Sequence, residues 1–213
     1  MKLNHLLRKG IAEAMGVMIF VTSIVATSFN SPFHNLALAS TLALMILVTA
    51  TISGGHLNPA VTLFFFARKS IDLVTLMVYW IAQLLGATLG LYLGYALSQS
   101  PLAAKPGITG YETGGIIGEV LATTVLIIII IRLATTKREA IIPFAVGLWV
   151  FAASTFTLTG AQANPAVTFA LMIRDGFTQN HLMVILAEFI GALVALIYVL
   201  LLDSDAKGKK KKK

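Results

Sequence analysis

Two copies of one polar unit stand inside an otherwise apolar sequence. Residues 54–64 read GGHLNPAVTLF and residues 160–170 read GAQANPAVTFA, so both contain the pentapeptide NPAVT. Asparagine favours the N-cap of a helix, and proline favours the first helical position, where its missing N–H costs nothing. Each unit therefore predicts a helix that starts at its asparagine. The side-chain amides of Asn58 and Asn164 can donate hydrogen bonds to a passing oxygen atom.

A helix that begins at Asn58 and ends near Arg68 and Lys69 is too short to cross a bilayer. About ten residues with a rise of about 1.5 Å each reach roughly half of the ~30 Å hydrocarbon core. The second unit starts at Asn164 and ends near Arg174, so it predicts a half-helix of the same kind. The two N-termini, each with roughly half a positive charge, would meet near the membrane midplane at the two NPA motifs: Asn58, Pro59, Ala60, Asn164, Pro165 and Ala166.

The segments before the two asparagines, residues 53–57 and 159–163, contain glycine and are predicted to be non-helical. Irregular backbone at membrane depth is tolerated only where protein buries it or where it lines a water-filled cavity. A water-filled path past the two asparagines meets this requirement, because amides donate and backbone carbonyls accept hydrogen bonds there. Such a path suits small neutral solutes and repels cations at its centre.

The composition indicates that a lipid bilayer surrounds most of the chain. Of the 213 residues, 57% are hydrophobic and only 12% are charged, and the mean hydropathy is +0.87. The chain has no cysteine, which excludes disulfides and thiolate metal sites. About 20 apolar residues are needed to span the membrane, and six segments approach that length: residues 11–29, 36–52, 72–97, 114–133, 141–158 and 182–202.

Lysine and arginine are distributed unevenly between the segments that connect these spans. With the N-terminus in the cytoplasm, 14 of the 16 basic residues fall inside, and only Lys105 and Arg174 fall outside. The positive-inside rule therefore predicts that both termini are cytoplasmic, and we expect the plasma (inner) membrane as the location. The net charge of +7 reflects this orientation and does not indicate a nucleic-acid partner. The lysine-rich tail is interpreted as a solvated end, with anionic lipid headgroups as the alternative partner.

The chain is predicted to consist of two copies of one three-span unit. Glu13 and Glu119 are 106 residues apart, as are the two asparagines, and Gln83 and Glu188 are 105 residues apart. Because each copy has an odd number of spans, the second enters the membrane from the opposite side, which gives an inverted repeat. The predicted organisation is a first repeat over 1–97, an extracellular linker over 98–112, a second repeat over 113–202 and a basic cytoplasmic tail over 203–213.

Taken together, the paired NPA motifs, the lead-in SGGHLNPAVT, the glutamates of the first and fourth spans and the inverted repeat resemble the aquaporin, or major intrinsic protein, family. The resemblance covers essentially the whole chain. It implies an all-α membrane protein with six transmembrane helices and two re-entrant half-helices. It also implies a homotetramer in the lipid bilayer, with one pore per subunit that passively conducts water or small uncharged solutes and needs no cofactor.

Two carboxylates lie at membrane depth, where charged groups are expensive and are candidates for function. Glu13 and Glu119 could couple transport to protons, or each could accept hydrogen bonds from the irregular backbone of one NPA loop. Their repeat-symmetric placement favours the bracing role, and in the family that the chain resembles such glutamates brace these loops. Gln83 and Glu188 are interpreted in the same way. His56 could line the pore wall, but a loop-bracing role is favoured.

The resemblance also draws attention to a residue that is missing. Most water and glycerol channels of the family place an arginine three residues after the second asparagine, where this chain has Val167. Carrying over the other positions of the outer constriction by distance from the asparagines gives Leu38, Ala152 and Ala161. A filter of these four residues would contain no charge and no side-chain donor, and its two alanines would make it wide. Selectivity for water over larger solutes should then relax.

Val167 in the arginine position is similar to a bacterial subgroup of aquaporins that is associated with arsenic resistance. This similarity implies larger neutral solutes, such as undissociated arsenic or antimony acids, besides water or glycerol. The simpler alternative is that Val167 only widens a pore for small solutes in general.

Other classes of function remain as alternatives to a passive channel. A proton-coupled secondary transporter can also be built on an inverted repeat, but it needs a titratable group exposed in the pathway. A membrane adhesion protein with a closed pore would need more surface than the short outer loops offer. The sequence contains no nucleophile–base pair and no metal-ligand spacing, so neither an enzyme nor a metal site is expected.

Overall fold

The computed structural model describes residues 2–28, 30–98 and 113–210, and these residues form helices joined by short irregular segments, without strands. The predicted linker lies outside the described residues except for Ser98, and so do the last three lysines of the predicted tail. A turn of 3-10 helix, Glu139–Ile141, precedes the sixth helix. In chain order the helices are α1 (Lys2–Ala26), α2 (His34–Ser53), α3 (Pro59–Ala67), α4 (Leu73–Ser98), α5 (Thr113–Thr135), α6 (Ile142–Phe156), α7 (Pro165–Asp175) and α8 (Gln179–Lys210).

Six of these helices are long and apolar enough to cross a bilayer, namely α1, α2, α4, α5, α6 with its 3-10 turn, and α8. The predicted all-α class and the six predicted spans are therefore confirmed. The first apolar span begins at Asn4, earlier than the predicted residue 11, because the helix already includes the leucines before Arg8. The last helix runs beyond its apolar span, which ends at Leu202, and continues to Lys210.

The two predicted half-helices are also confirmed, as α3 with 9 residues and α7 with 11 residues. Asn58 and Asn164 are their N-caps, with extended backbone at φ −160° and −157°. Ser53, which the sequence placed in the first non-helical segment, is instead the last residue of α2. The following Gly54 has φ +95° and closes α2 by donating its N–H to Ala50 O, so the irregular segment starts there.

The two halves of the chain pack in the same way. Helix α1 lies along α4 and α5 lies along α8, while α2 packs against α6 across the boundary between the repeats. The half-helices α3 and α7 contact each other as well as α4 and α8. The interior is apolar, and the outer faces of the spans carry exposed apolar side chains such as Leu85, Leu89 and Leu148. Such faces suit lipid tails or neighbouring subunits.

The close approach of α1 and α4 depends on glycines spaced four residues apart. A Cβ atom added to Gly86 would lie 2.2 Å from Ala14 O, and one added to Gly90 would lie 2.4 Å from Met18 O. Both distances are far shorter than van der Waals contact, and the obstructing atoms belong to backbone. The glycines therefore let two spans touch through their main chains, which is common where membrane helices associate.

We expect Gly86→Ala to destabilise the protein, because the added methyl group collides with the backbone of α1. Overpacking of this kind costs about 1–3 kcal/mol, which outweighs the gain of ~1 kcal/mol that alanine brings to a helix. The matched control is Gly114→Ala in α5, where the Cβ atom would meet only the flexible end of Leu158 at 3.1 Å. Thermal unfolding in detergent should show a lower midpoint for the first variant alone. Equal midpoints for the two variants would contradict this account of the α1–α4 contact.

Candidate functional site

The two asparagines of the NPA motifs meet at the centre of the molecule and join the repeats. The Asn58 side chain donates from Nδ2 to Ala163 O at 2.7 Å, and Asn164 donates from Nδ2 to Leu57 O at 2.9 Å. Each Oδ1 accepts a bond from the first turn of its own half-helix, from Ala60 N at 2.8 Å and from Ala166 N at 3.0 Å. An asparagine amide has two N–H groups, so one group of each remains available to a molecule beside it.

The segments that lead to the asparagines adopt the same unusual backbone in both repeats. Positive φ angles occur at Gly54, Gly55 and Leu57 in the first segment, and at the positions 106 residues later in the second: Gly160, Ala161 and Ala163. A non-glycine residue in the left-handed region costs roughly 1–2 kcal/mol. The surrounding contacts must therefore hold these segments in place, because the segments do not adopt this shape unaided.

Glu13 is buried completely and holds the first segment. Its Oε1 accepts hydrogen bonds from Ser53 Oγ at 2.6 Å and His56 N at 3.0 Å. Its Oε2 accepts from Leu57 N at 2.6 Å and from Gln83 Nε2 at 2.8 Å. Two backbone N–H groups that have no helical or strand partner thus bind one carboxylate.

Glu119 occupies the equivalent place in the second repeat and is also buried completely. Its Oε1 accepts from Gln162 N at 3.0 Å and from Thr159 Oγ1. Its Oε2 accepts from Ala163 N at 2.7 Å. Neither Glu119 nor Glu13 is among the described residues that line the central cavities. The geometry matches a bracing role and gives neither carboxylate contact with the transport path.

Gln83 and Glu188 differ in chemistry although they are related by the repeat. The Gln83 amide donates to Glu13 and, at 3.0 Å, to Thr62 Oγ1. Glu188 instead accepts at Oε1, from Asn164 N at 2.9 Å and from Thr168 Oγ1 at 2.7 Å. Both side chains hold the first turn of a half-helix, but only the first repeat has an amide that links this turn to the bracing glutamate.

His56 combines bracing with a place in the cavity wall. Its backbone N–H is bound by Glu13, and its Nδ1 lies 3.2 Å from Thr62 Oγ1. The ring stacks on Phe65 with 4.7 Å between the ring centroids and meets the edge of Tyr79 at 5.2 Å. His56 also lines the smaller of the two central cavities, together with both asparagines.

Two cavities follow one another through the molecule. The inner cavity, of about 310 Å³, lies between the first irregular segment and the start of α6, and both asparagines line it. The outer cavity, of about 480 Å³, lies between the start of α2 and the second irregular segment. Three of the residues that the structure describes line both cavities and therefore mark a junction between them: Phe20, Val150 and Gln162.

The structure brings three of the four predicted filter residues together. Leu38, Ala161 and Val167 line the outer cavity, whereas Ala152 lines neither cavity. Helix α6 presents Val150 and Ser154 instead. These two residues are four positions apart and share one helix face, whereas a residue two positions from each points elsewhere. Counting residues back from Asn164 predicts how far along α6 a wall residue lies. It does not predict which face of the helix points toward the cavity.

Sequence reasoning also missed Gln162 as a wall residue. It stands 106 residues after His56, and its Oε1 lies 2.7 Å from Thr168 Oγ1, just as His56 lies beside Thr62. The signal was therefore present in the repeat. It could have been found by transferring the wall position of His56 to the second copy.

Comparisons with known proteins agree on one family. The family model described as "Major intrinsic protein" matches residues 1–204. A probable aquaporin, PIP2-8, from Arabidopsis thaliana is 31% identical over 228 residues, covering 93% of this chain and 82% of the relative. An aquaglyceroporin from Toxoplasma gondii is 29% identical over 214 residues, covering 92% of this chain and 80% of the relative. The solved aquaglyceroporin from Plasmodium falciparum has the same fold, with a TM-score of 0.76, 24% identity and coverage of 91% of this chain and 95% of that chain.

Replacing Glu13 by glutamine should destabilise the protein, because the new Nε2 group would face donors in place of an acceptor oxygen. Leaving buried donors unsatisfied costs about 1–3 kcal/mol. Thermal unfolding in detergent should therefore show a clearly lower midpoint. Glu139→Gln removes an exposed carboxylate and is the matched control, with an expected change within about 0.5 kcal/mol. A Glu13→Gln protein as stable as the wild type would show that the four contacts of Glu13 contribute little.

Proposed function

The chain belongs to the major intrinsic protein family of channels for water and small uncharged solutes, and we propose that it conducts solutes as large as glycerol as well as water. The observation that carries this proposal is that the described residues lining the outer cavity include no lysine, arginine, aspartate or glutamate. In our proposal the outer constriction consists of Leu38, Val150, Ala161 and Val167, all of which line this cavity. The similarity to the protein from Toxoplasma gondii that is named an aquaglyceroporin supports the same solute class.

The chemistry of the two cavities favours neutral solutes. Among the described residues that line them there is no lysine or arginine, and Glu139, an exposed residue of the inner cavity, is the one carboxylate. At the midplane the positive ends of α3 and α7 remain, and they oppose a cation at the level of Asn58 and Asn164. The exclusion of cations therefore depends on the half-helices in our proposal, while the outer constriction selects by size and polarity.

The same reasoning extends the proposed solutes to neutral metalloid acids. Undissociated arsenous and antimonous acids resemble glycerol in carrying several hydroxyl groups without a net charge. The constriction places apolar side chains at Leu38, Val150 and Val167 and a small one at Ala161, which suits such compact molecules. We place them beside glycerol as proposed solutes of the same pore.

The assembly and orientation are part of the proposal. The exposed apolar faces of the spans suit both lipid and copies of the same chain, and we propose a homotetramer in which each subunit has its own pore. The charge asymmetry supports cytoplasmic termini and a plasma-membrane location. The turn that carries Lys137 and Arg138, like the Arg68–Lys69 end of α3, would then face the cytoplasm.

A proton-coupled transporter receives less support from the geometry. Coupling needs a titratable group that the path exposes and then occludes. Glu13 and Glu119 are buried, hold the irregular segments and line neither cavity. The titratable residues that line the cavities in the described part of the chain are Glu139, His56 and His34; Glu139 is exposed, and the two rings lie beside Thr62 Oγ1 and Thr27 O. Passive flux through the two cavities is therefore the function that these contacts support.

Stopped-flow light scattering on proteoliposomes tests the proposal with water, glycerol and arsenous acid in turn. We expect vesicles with the protein to pass water and glycerol faster than protein-free vesicles, and flux should be equal with and without a proton gradient. Flux of glycerol that requires the gradient would overturn the channel mechanism. Water flux without glycerol flux would overturn the proposed solute class alone.

Val167→Arg should slow glycerol more than water. The long cationic side chain would fill part of the outer constriction, and we expect glycerol permeability to fall about tenfold, equivalent to ~1.4 kcal/mol. Val167→Thr keeps the size of the side chain and adds no charge, so it is the matched control, with permeability near that of the wild type. If arginine leaves both permeabilities unchanged, Val167 does not belong to the constriction.

A further inference from the structure

Among the described residues, the junction between the two cavities contains one polar side chain. Of the three residues that line both cavities, Phe20 and Val150 are apolar, and Gln162 carries an amide. A solute that moves between the cavities passes all three. The amide is therefore placed where a solute passes from one cavity to the other.

The backbone N–H of Gln162 is hydrogen-bonded, but only one of the two polar atoms of its side-chain amide has a partner. The N–H donates to Glu119 Oε1 at 3.0 Å, and the side-chain Oε1 lies 2.7 Å from Thr168 Oγ1. The side-chain Nε2 is buried and has no hydrogen-bond partner in the described part of the chain. Buried polar groups almost always have a partner. A molecule in the path can supply the one that the protein does not provide.

Counting hydrogens at Thr168 leads to the same conclusion. Its hydroxyl lies 2.7 Å from Gln162 Oε1 and 2.7 Å from Glu188 Oε1, and it has a single hydrogen to donate. Turning the amide over would let Nε2 donate to Thr168, and the hydroxyl hydrogen would go to Glu188. The Gln162 Oε1 atom would then be the unpaired one. In both arrangements Gln162 keeps one polar atom without a protein partner.

The first repeat pairs its threonine differently. Thr62 Oγ1 donates to Asn58 O at 2.9 Å and accepts from Gln83 Nε2 at 3.0 Å. An amide at position 83 thus supplies a donor to the threonine, whereas the carboxylate of Glu188 competes for its hydrogen. The first repeat also has an unpaired buried amide atom, Gln83 Oε1, but Gln83 lines neither cavity, whereas Gln162 lines both.

From these contacts we infer that Gln162 is a specificity-determining residue of the pore. Its amide supplies, at the junction, the polar contact that the apolar constriction beside it lacks. Hydroxyl groups both donate and accept hydrogen bonds, so a polyol or a neutral hydroxy acid pairs with either end of the amide. The inference rests on the proposed function and names the feature of this pore that favours hydroxyl-bearing solutes.

Two substitutions separate polarity from size. Gln162→Met keeps the length of the side chain and removes both polar atoms. Gln162→Ala removes the polar atoms and widens the junction. We expect both variants to lower glycerol permeability about fivefold, as the loss of one hydrogen bond implies, and to lower water permeability by no more than about twofold. Permeability is measured by stopped-flow light scattering per amount of protein in the vesicles.

Gln179→Met is the matched control. Gln179 is exposed at the start of α8 and lines neither cavity. We expect this variant to conduct glycerol and water as the wild type does. A faster glycerol flux through Gln162→Ala would show that the side chain acts only as an obstacle, which would overturn the inference. Unchanged glycerol flux, or equal losses for glycerol and water, would overturn it as well.

Permeability measurements on the wild-type protein distinguish a failure of the inference about Gln162 from a failure of the proposed function. If it passes water but no glycerol, the proposed solute class is wrong, and Gln162 is then tested on water alone. In that case the inference expects Gln162→Met and Gln162→Ala to lower water permeability about twofold, with Gln179→Met unchanged. Water permeability that is equal in all four proteins would overturn it.

Discussion

The irregular segments before Asn58 and Asn164 determine much of the remaining structure. A backbone N–H or C=O group that faces hydrocarbon without a partner costs several kcal/mol, so a chain cannot leave a helix inside a bilayer unless the protein supplies partners. Glu13 and Glu119 supply acceptors, and the two asparagine amides supply donors. The half-helices, the buried carboxylates and the close packing of the spans are parts of one solution to this requirement.

The repeat explains why so much of this arrangement could be predicted. Capping preferences place the start of each half-helix at its asparagine, and the 106-residue spacing pairs each segment with its own glutamate. The features that escaped prediction depend on quantities that the sequence does not carry. Which face α6 turns to the path depends on how it packs against α2 and α5, so Val150 lines the outer cavity and Ala152 does not. The role of Gln162 depends on hydrogen-bond accounting at Thr168, which requires distances.

Departures from the repeat are as informative as the repeat itself. His56 stands two residues before Asn58 in the first copy, and Gln162 stands two residues before Asn164 in the second. The side chain that holds the first turn of the half-helix is Gln83 in the first copy and Glu188 in the second. In the first copy the His56 ring stacks on Phe65, and the Gln83 amide donates to Glu13 and Thr62. Each copy keeps an unpaired buried amide atom, but Gln83 lines neither cavity, whereas Gln162 lines both. Two nearly equal halves of one fold therefore differ in the polar groups that they place in the cavity wall.

The crossed bonds between the asparagines also have a consequence for biosynthesis. The acceptor of the Asn58 amide is Ala163 O, and the donor to Leu57 O is Asn164, so each loop is completed by the opposite half of the chain. During synthesis the first three spans leave the ribosome before the second NPA motif exists. Until then Leu57 O and the Asn58 amide lack these partners, so the first loop cannot form all of its hydrogen bonds to the protein. Insertion of the first half and closure of its pore wall are therefore separate events, and the second depends on the arrival of α7.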